Sequence, residues 1–101
     1  TNTFFERDNF MAQAQIMIDN DRTRVTEWVF EIGEETGQHL HEFDYVVVPM
    51  SDGEWKIINE DGSETISKLF KGKSYFRNKG VNHNVLNNNC FQYRFVEIEF
   101  K

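Results

Sequence analysis

Residues 33–49 read GEETGQHLHEFDYVVVP and contain two of the three histidines in the chain, His39 and His41. On a β-strand, residues i and i+2 project from the same face, so these two imidazoles can reach one metal ion at about 2.0–2.1 Å. The third histidine, His83, has valines as its same-face neighbours, and a strand crossing beside the first would bring it to the same point. Three neutral imidazoles leave coordination positions open for water or substrate, which is the arrangement of a catalytic metal site. From the spacing alone, a set of packed core histidines stays open as the alternative.

The rest of the chain consists of short segments that alternate in polarity and are separated by turn residues. We predict strands over 12–19, 22–32, 39–48, 74–76 and 92–100, and a hairpin over 54–69. Asp61-Gly62 lies inside that hairpin, and Asp-Gly favours the turn that matches strand twist. No segment shows convincing helical periodicity. The sequence therefore predicts an all-β sandwich or barrel, formed as one domain over residues 1–101 and filled by its many aromatic side chains.

Composition and charge restrict the partners that we expect. The net charge is −6, and no run of Lys and Arg is longer than two, which argues against binding to nucleic acid or to an anionic membrane surface. No apolar run approaches the ~20 residues that span a bilayer, and the first residues lack the apolar region of a signal peptide. The single cysteine, Cys90, rules out an internal disulfide. By elimination, we expect a cytoplasmic protein.

Two motifs of the sequence resemble the conserved motifs of the cupin superfamily. They are Gly33-x5-His39-x-His41 and Gly72-x5-Asn78-x-Gly80-x2-His83-x3-Asn87, with Asn78 where that family usually has proline. The similarity covers about residues 22–100 and implies a double-stranded β-helix, or jelly-roll barrel, of two packed antiparallel sheets with a metal at its inner end. The segments HEFDYVVVP and SYFRNKGVNHNV also resemble a small bacterial cupin subgroup, called BauB-like, that is associated with β-alanine degradation.

The sequence departs from the cupin pattern at one position that affects the metal site. In many cupins, three or four residues separate the second histidine from a glutamate, and the same spacing here gives Tyr45 or Val46. Glu42 and Asp44 lie nearby, but alternation points both away from the histidine face unless a bulge intervenes. The resemblance therefore implies a three-histidine site, with Tyr45 as a fourth ligand, a hydrogen-bond donor or a catalytic acid or base. A packed aromatic side chain is the alternative for Tyr45.

Four further residues are candidates for substrate binding. Arg94 alternates in phase with apolar residues of the last strand, and on the inner face its guanidinium would need a substrate carboxylate as partner. An ion pair with an acid of the protein, or an outward orientation, is the alternative. Arg77 and Tyr75 precede the second motif and can line the pocket mouth, or else form a turn surface. Gln38 can bind a metal-bound water, or serve only in its loop.

Three functions are compatible with this sequence. The first is a metalloenzyme with dioxygenase-like or Lewis-acid chemistry on a small polar metabolite, with Fe²⁺ favoured and Zn²⁺, Ni²⁺, Mn²⁺ or Cu²⁺ as alternatives. The second is a non-catalytic module that binds a small ligand. The third is a structural dimer in which the metal joins two strands. Val25 and Val29 share the other face of their strand and suggest that a homodimer covers this outer sheet.

Overall fold

A computed structural model of the protein describes residues 10–101 and contains nine strands. They are β1 Gln13–Asp19, β2 Thr23–Phe30, β3 His39–Leu40, β4 Asp44–Pro49, β5 Gly53–Asn59, β6 Glu64–Leu69, β7 Tyr75–Arg77, β8 Asn82–Asn87 and β9 Tyr93–Phe100. This part of the chain has no helix, so the all-β prediction is confirmed. In particular, residues 10–101 include no helix with the length and hydropathy needed to cross a membrane.

The strands form two sheets in which every pairing of named strands is antiparallel. One sheet has five strands in the order β1-β2-β9-β4-β7, and the other has four in the order β3-β8-β5-β6. Consecutive strands repeatedly cross from one sheet to the other, which produces the two-layered barrel that the sequence predicts. The hairpin over 54–69 is also confirmed, because β5 pairs with β6 on either side of the Asp61-Gly62 turn.

The run that we predicted as one strand over 39–48 is divided between the two sheets. Its first part, β3, pairs with β8 in the four-stranded sheet, whereas β4 pairs with β7 and β9 in the five-stranded sheet. Residues 41–43 connect the two, and backbone hydrogen bonds of 2.8 Å tie His41 to Val81 and Gly80. The prediction of one continuous strand was wrong, since alternation along the chain does not reveal a change of sheet.

One end of the barrel is closed by aromatic packing. Trp55 is 2% exposed and its ring centroid lies 5.5 Å from Phe30, 5.1 Å from Tyr93 and 4.9 Å from Phe95. The Tyr93 hydroxyl donates to the backbone carbonyl of Ser51 at 2.6 Å, so its one polar atom is satisfied. This cluster packs one end of the barrel, and the cavity beside the histidines opens toward the other end.

The inward positions of the five-stranded sheet become more polar toward that open end. Register aligns three successive rows of side chains across the strands: Trp28–Phe95–Pro49, then Thr26–Glu97–Val47–Tyr75, and then Arg24–Glu99–Tyr45–Arg77. The first row packs against the aromatic cluster, and the last consists of charged and hydroxyl groups. The fold therefore forms a barrel with a closed apolar end and a polar mouth.

Candidate metal centre

The structure brings the three histidines together at the open end of the barrel. His39 on β3 is paired directly with His83 on β8, and His41 follows where the chain leaves β3. The Nε2 atoms of His39 and His41 are 2.9 Å apart, and those of His41 and His83 are 3.2 Å apart. His41 is buried, while His39 and His83 are half-buried. The three rings thus present the same atom to one point inside the barrel.

Contacts on the far sides of two rings explain why Nε2 faces this point. The Nδ1 atom of His39 lies 2.8 Å from the carbonyl oxygen of Gly37, and because a carbonyl only accepts, Nδ1 carries the proton. In the neutral form of this ring, the free lone pair is therefore on Nε2. The ring of His41 stacks on Tyr45 with centroids 3.9 Å apart, and its Nδ1 faces Oε2 of Glu97 at 3.8 Å.

The protonation and spacing of these rings suit a divalent metal ion. Burial, reinforced by the charge of His39, lowers the pKa of His41 to about 4 and that of His83 to about 3. Both rings are therefore neutral at pH 7, as metal ligands must be. Two ligand atoms at ~2.1 Å from one ion and at a right angle lie about 3.0 Å apart, which is close to the observed separations. The donor set is compatible with an ion such as Zn²⁺ or Fe²⁺, and it does not discriminate between them.

A cavity of about 310 Å³ opens beside the histidines. Its deeper wall is largely apolar and includes Trp28, Val47, Ile57 and Phe95. Its mouth is formed by the polar row described above. This volume lies at the lower end of the range of small-molecule sites, so the cavity fits a small metabolite rather than a polymer.

Three of the residues predicted to serve a ligand line this cavity. Tyr45 is 3% exposed and packs between His41 and the cavity, and burial raises the pKa of its hydroxyl, so it stays protonated at neutral pH. Tyr75 is half-buried in the wall, where burial also raises its pKa. Arg77 lies at the mouth, with its guanidinium over the Tyr75 ring at 5.6 Å. These three residues can therefore contact a molecule that reaches the histidines.

The structure does not bring the other two predicted ligand-binding residues to the cavity. Arg94 is on the outer face of β9, where its Nη1 lies 3.6 Å from Glu27, because the inward positions of β9 are its odd-numbered residues. The inner-face reading of Arg94 was therefore wrong, and we do not keep it as a substrate-binding residue. Gln38 is exposed and donates to Asn82 at 2.8 Å, outside the cavity wall.

Glu42, which alternation pointed away from the histidine face, lies at the exposed edge of the cavity. The reason is local: residues 41–43 have left the sheet, so the alternation of a strand does not extend to them. Asp44 is half-buried outside the cavity wall and accepts a hydrogen bond from the backbone N–H of Lys79.

Sequence reasoning missed two buried acids that face the cavity, Glu97 and Glu99. Glu99 accepts two hydrogen bonds from Arg24, at 2.7 and 3.2 Å. Glu97 receives the indole N–H of Trp28 at 3.4 Å, and burial together with the charge of Glu99 raises its pKa to about 7. The available signal was that both acids share a face of the last strand with two aromatic residues, Tyr93 and Phe95. The more regular apolar run on the opposite face concealed it.

Similar proteins support the cupin interpretation. No protein-family model matches the chain. A cupin domain from Bordetella pertussis has 47% identity to it, covers 90% of this chain and 94% of its own, and superposes with a TM-score of 0.87. A cupin with a double-stranded β-helix fold from Methanocaldococcus jannaschii has a TM-score of 0.73 over 93% of this chain and 84% of its own, but at 17% identity it shows the fold alone.

Fold and site together define a small cupin with three clustered histidines. The β-alanine degradation protein BauB of Pseudomonas aeruginosa is 44% identical over 90 residues, which is 89% of this chain and 94% of that protein. The chain belongs to the family of BauB.

Proposed function

We propose that His39, His41 and His83 hold one divalent metal ion and that the protein uses it to act on a small polar metabolite. The observation that carries this proposal is the convergence of three histidine Nε2 atoms beside a cavity. Fe²⁺ is the ion that we favour, and Zn²⁺, Ni²⁺, Mn²⁺ and Cu²⁺ are compatible with imidazole ligands. Bound there, the ion would supply Lewis acidity or dioxygen chemistry.

The side chains around the cavity would each contribute to binding or proton transfer. The protonated hydroxyl of Tyr45 is available as a hydrogen-bond donor or general acid. Arg77 at the mouth is suited to a carboxylate, which its planar guanidinium can bind through two N–H groups. Tyr75 and the apolar wall exclude water from one side of the ligand. These roles favour a small carboxylic acid as the substrate, and the name of BauB suggests an acid from β-alanine degradation.

A non-catalytic ligand-binding protein is the second candidate. The observation that favours it is the commitment of Glu99 to Arg24, which together with a protonated Tyr45 leaves Glu97 as the main buried proton acceptor of the cavity. Oxygen uptake or product formation by the metal-loaded protein would support the enzyme. Stabilisation by a small acid without turnover would support the binding protein.

The metal proposal is tested by the metal content of His41→Ala. We expect one ion per chain in the wild-type protein and none above background in the variant, because two imidazoles and solvent form a much weaker site. Elemental analysis of protein reloaded with Fe²⁺ or Zn²⁺ measures this directly. Asn82→Ala is the control, since Asn82 is next to His83 in sequence but its side chain bonds, within the described part of the chain, only to Gln38 at the surface. Stoichiometric metal in folded His41→Ala would refute the ligand assignment.

We also propose that two copies associate through the outer face of the five-stranded sheet. Register aligns five apolar side chains across this whole face, from Ile18 through Val25, Ile98 and Val46 to Phe76. Phe76 is 54% and Ile18 50% exposed, and a second copy would remove both from water. The cytoplasmic location stays a prediction from the sequence.

A further inference from the structure

A chain of hydrogen bonds connects a buried amide, Asn84, to the loop that supports His39. Asn84 is on β8 and is 8% exposed. Its Oδ1 accepts the backbone N–H of Gly37 at 3.0 Å, and its Nδ2 donates to Oε1 of Glu35 at 2.9 Å. A backbone N–H can only donate and a carboxylate can only accept, so these two partners fix the orientation of the amide. Asn84 thereby holds the loop at two points.

The same loop determines which nitrogen of His39 is protonated. Gly37, which Asn84 holds through its N–H, offers its carbonyl oxygen to Nδ1 of His39 at 2.8 Å. The φ angle of Gly37 is +82°, a left-handed conformation that glycine adopts readily among several others, so the bond to Asn84 helps to select it. Thr36 adds support, because its Oγ1 accepts the N–H of Val85 at 3.1 Å and lies 3.2 Å from Nδ1 of His39.

We propose that Asn84 is a positioning residue for the histidine centre. By fixing the loop over 35–37, it keeps the carbonyl of Gly37 where it holds the proton on Nδ1 of His39. The Nε2 lone pair of His39 then faces Nε2 of His41. The effect on metal affinity rests on the proposed metal function, whereas the effect on the His39 tautomer does not. Hydrogen-bond partners of metal-bound histidines commonly contribute about 10–100-fold to metal affinity, and Asn84 acts one bond further out.

The decisive variant is Asn84→Asp, which has nearly the same shape. It can still accept the N–H of Gly37, but it replaces the amide donor with a carboxylate that faces Glu35. Repulsion should displace the loop, and we expect Zn²⁺ to bind about tenfold more weakly. The added negative charge by itself would strengthen cation binding, so charge alone predicts the opposite direction. In metal-free protein, long-range ¹H–¹⁵N spectra should show a loss of the Nδ1-protonated form of His39.

Exchanging the amide and the carboxylate between positions 84 and 35 should restore the properties lost in Asn84→Asp. In Glu35→Gln/Asn84→Asp the net charge is that of the wild type, and the new amide at 35 can donate to the new carboxylate at 84. We expect wild-type Zn²⁺ affinity and the wild-type His39 tautomer. Glu35→Gln alone should be near neutral, because its amide oxygen still accepts from Asn84. Asn82→Asp is the matched control, because it adds the same charge to the same strand at a side chain that, among residues 10–101, bonds only to Gln38. Its Zn²⁺ affinity should be within twofold of wild type.

Two results would overturn the proposal. One is a folded Asn84→Asp protein with wild-type affinity and a wild-type His39 tautomer. The other is failure of the double variant to restore either property, which would mean that the pairing with Glu35 is not the cause. If wild-type protein binds no Zn²⁺ or Fe²⁺ at all, the proposed metal function fails instead. The tautomer measured without metal then decides on Asn84 by itself.

Discussion

At the scale of single residues, Tyr45 connects the histidines to the cavity. Its ring stacks on His41 at 3.9 Å, and burial keeps its hydroxyl protonated. We expect Tyr45→Phe to retain one metal ion per chain, since the three Nε2 atoms are unchanged. Loss of the hydroxyl should lower kcat on the substrate by about 100-fold or more if it transfers a proton. It should also shift the visible spectrum of the Co²⁺-loaded protein.

Tyr93→Phe is the matched control for this prediction. The hydroxyl of Tyr93 donates to Ser51 at 2.6 Å in the closed end of the barrel, so its removal should lower stability by about 1 kcal/mol and leave the spectrum unchanged. If Tyr45→Phe leaves both the spectrum and the kinetics at wild-type values, Tyr45 serves packing alone.

At the scale of secondary-structure elements, the start of β5 packs closely against the start of β9, so that Gly53 has no room for a side chain. A Cβ at Gly53 would lie 2.8 Å from Cε1 of Tyr93 and 2.9 Å from Oδ1 of Asn89. Tyr93 is fully buried, so its ring has little room to move. We therefore expect Gly53→Ala to lower the free energy of unfolding by about 1–3 kcal/mol, measured by urea denaturation.

Gly62, in the β5–β6 turn, is the control for Gly53→Ala, because an alanine there would be strained only through its backbone conformation. Gly62 has a φ of +89°, and within residues 10–101 no atom beyond its chain neighbours lies within 4 Å of a Cβ built there. Gly62→Ala should therefore cost about 1–2 kcal/mol through its backbone conformation, without affecting the Tyr93 ring. The near-ultraviolet circular dichroism signal of Tyr93 should change in Gly53→Ala and stay at its wild-type value in Gly62→Ala. An unperturbed Tyr93 and wild-type stability in that variant would contradict the predicted clash.

At the scale of the whole molecule, the apolar row on the outer sheet bears on oligomeric state. Ile98 is on β9, the middle strand of that sheet, and is paired with both Val25 and Val46. We expect the wild-type protein to have twice the monomer mass in light scattering, and Ile98→Lys to be a monomer, because a lysine there would be buried without a partner.

Ile66→Lys is the control for that experiment. Ile66 is 49% exposed on β6, an edge strand of the other sheet, and the same substitution there should leave the dimer intact. A wild-type protein that is monomeric at tens of micromolar would show that this face is not an interface between copies.

The sequence by itself determined the fold class, most turns and the three histidines. These features are local: alternation, an Asp-Gly turn and the i, i+2 spacing of His39 and His41 are each complete within a few residues. The two motifs that resemble cupins then implied a jelly-roll barrel of two packed antiparallel sheets. Tyr45, Tyr75 and Arg77 were found because they lie beside those motifs.

Only the tertiary structure decided which face of each strand points inward. The last strand has Glu97 and Glu99 on one face and a regular apolar run on the other. Hydrophobicity alone would bury the apolar face, whereas the structure buries the acids beside Arg24. For the same reason both orientations of Arg94 stayed open in the sequence, and the structure places it on the outer face. The change of sheet at 41–43 and the contact of Asn84 with Gly37 depend on residues far apart in the chain. Such contacts are set by register between strands, which no single strand encodes.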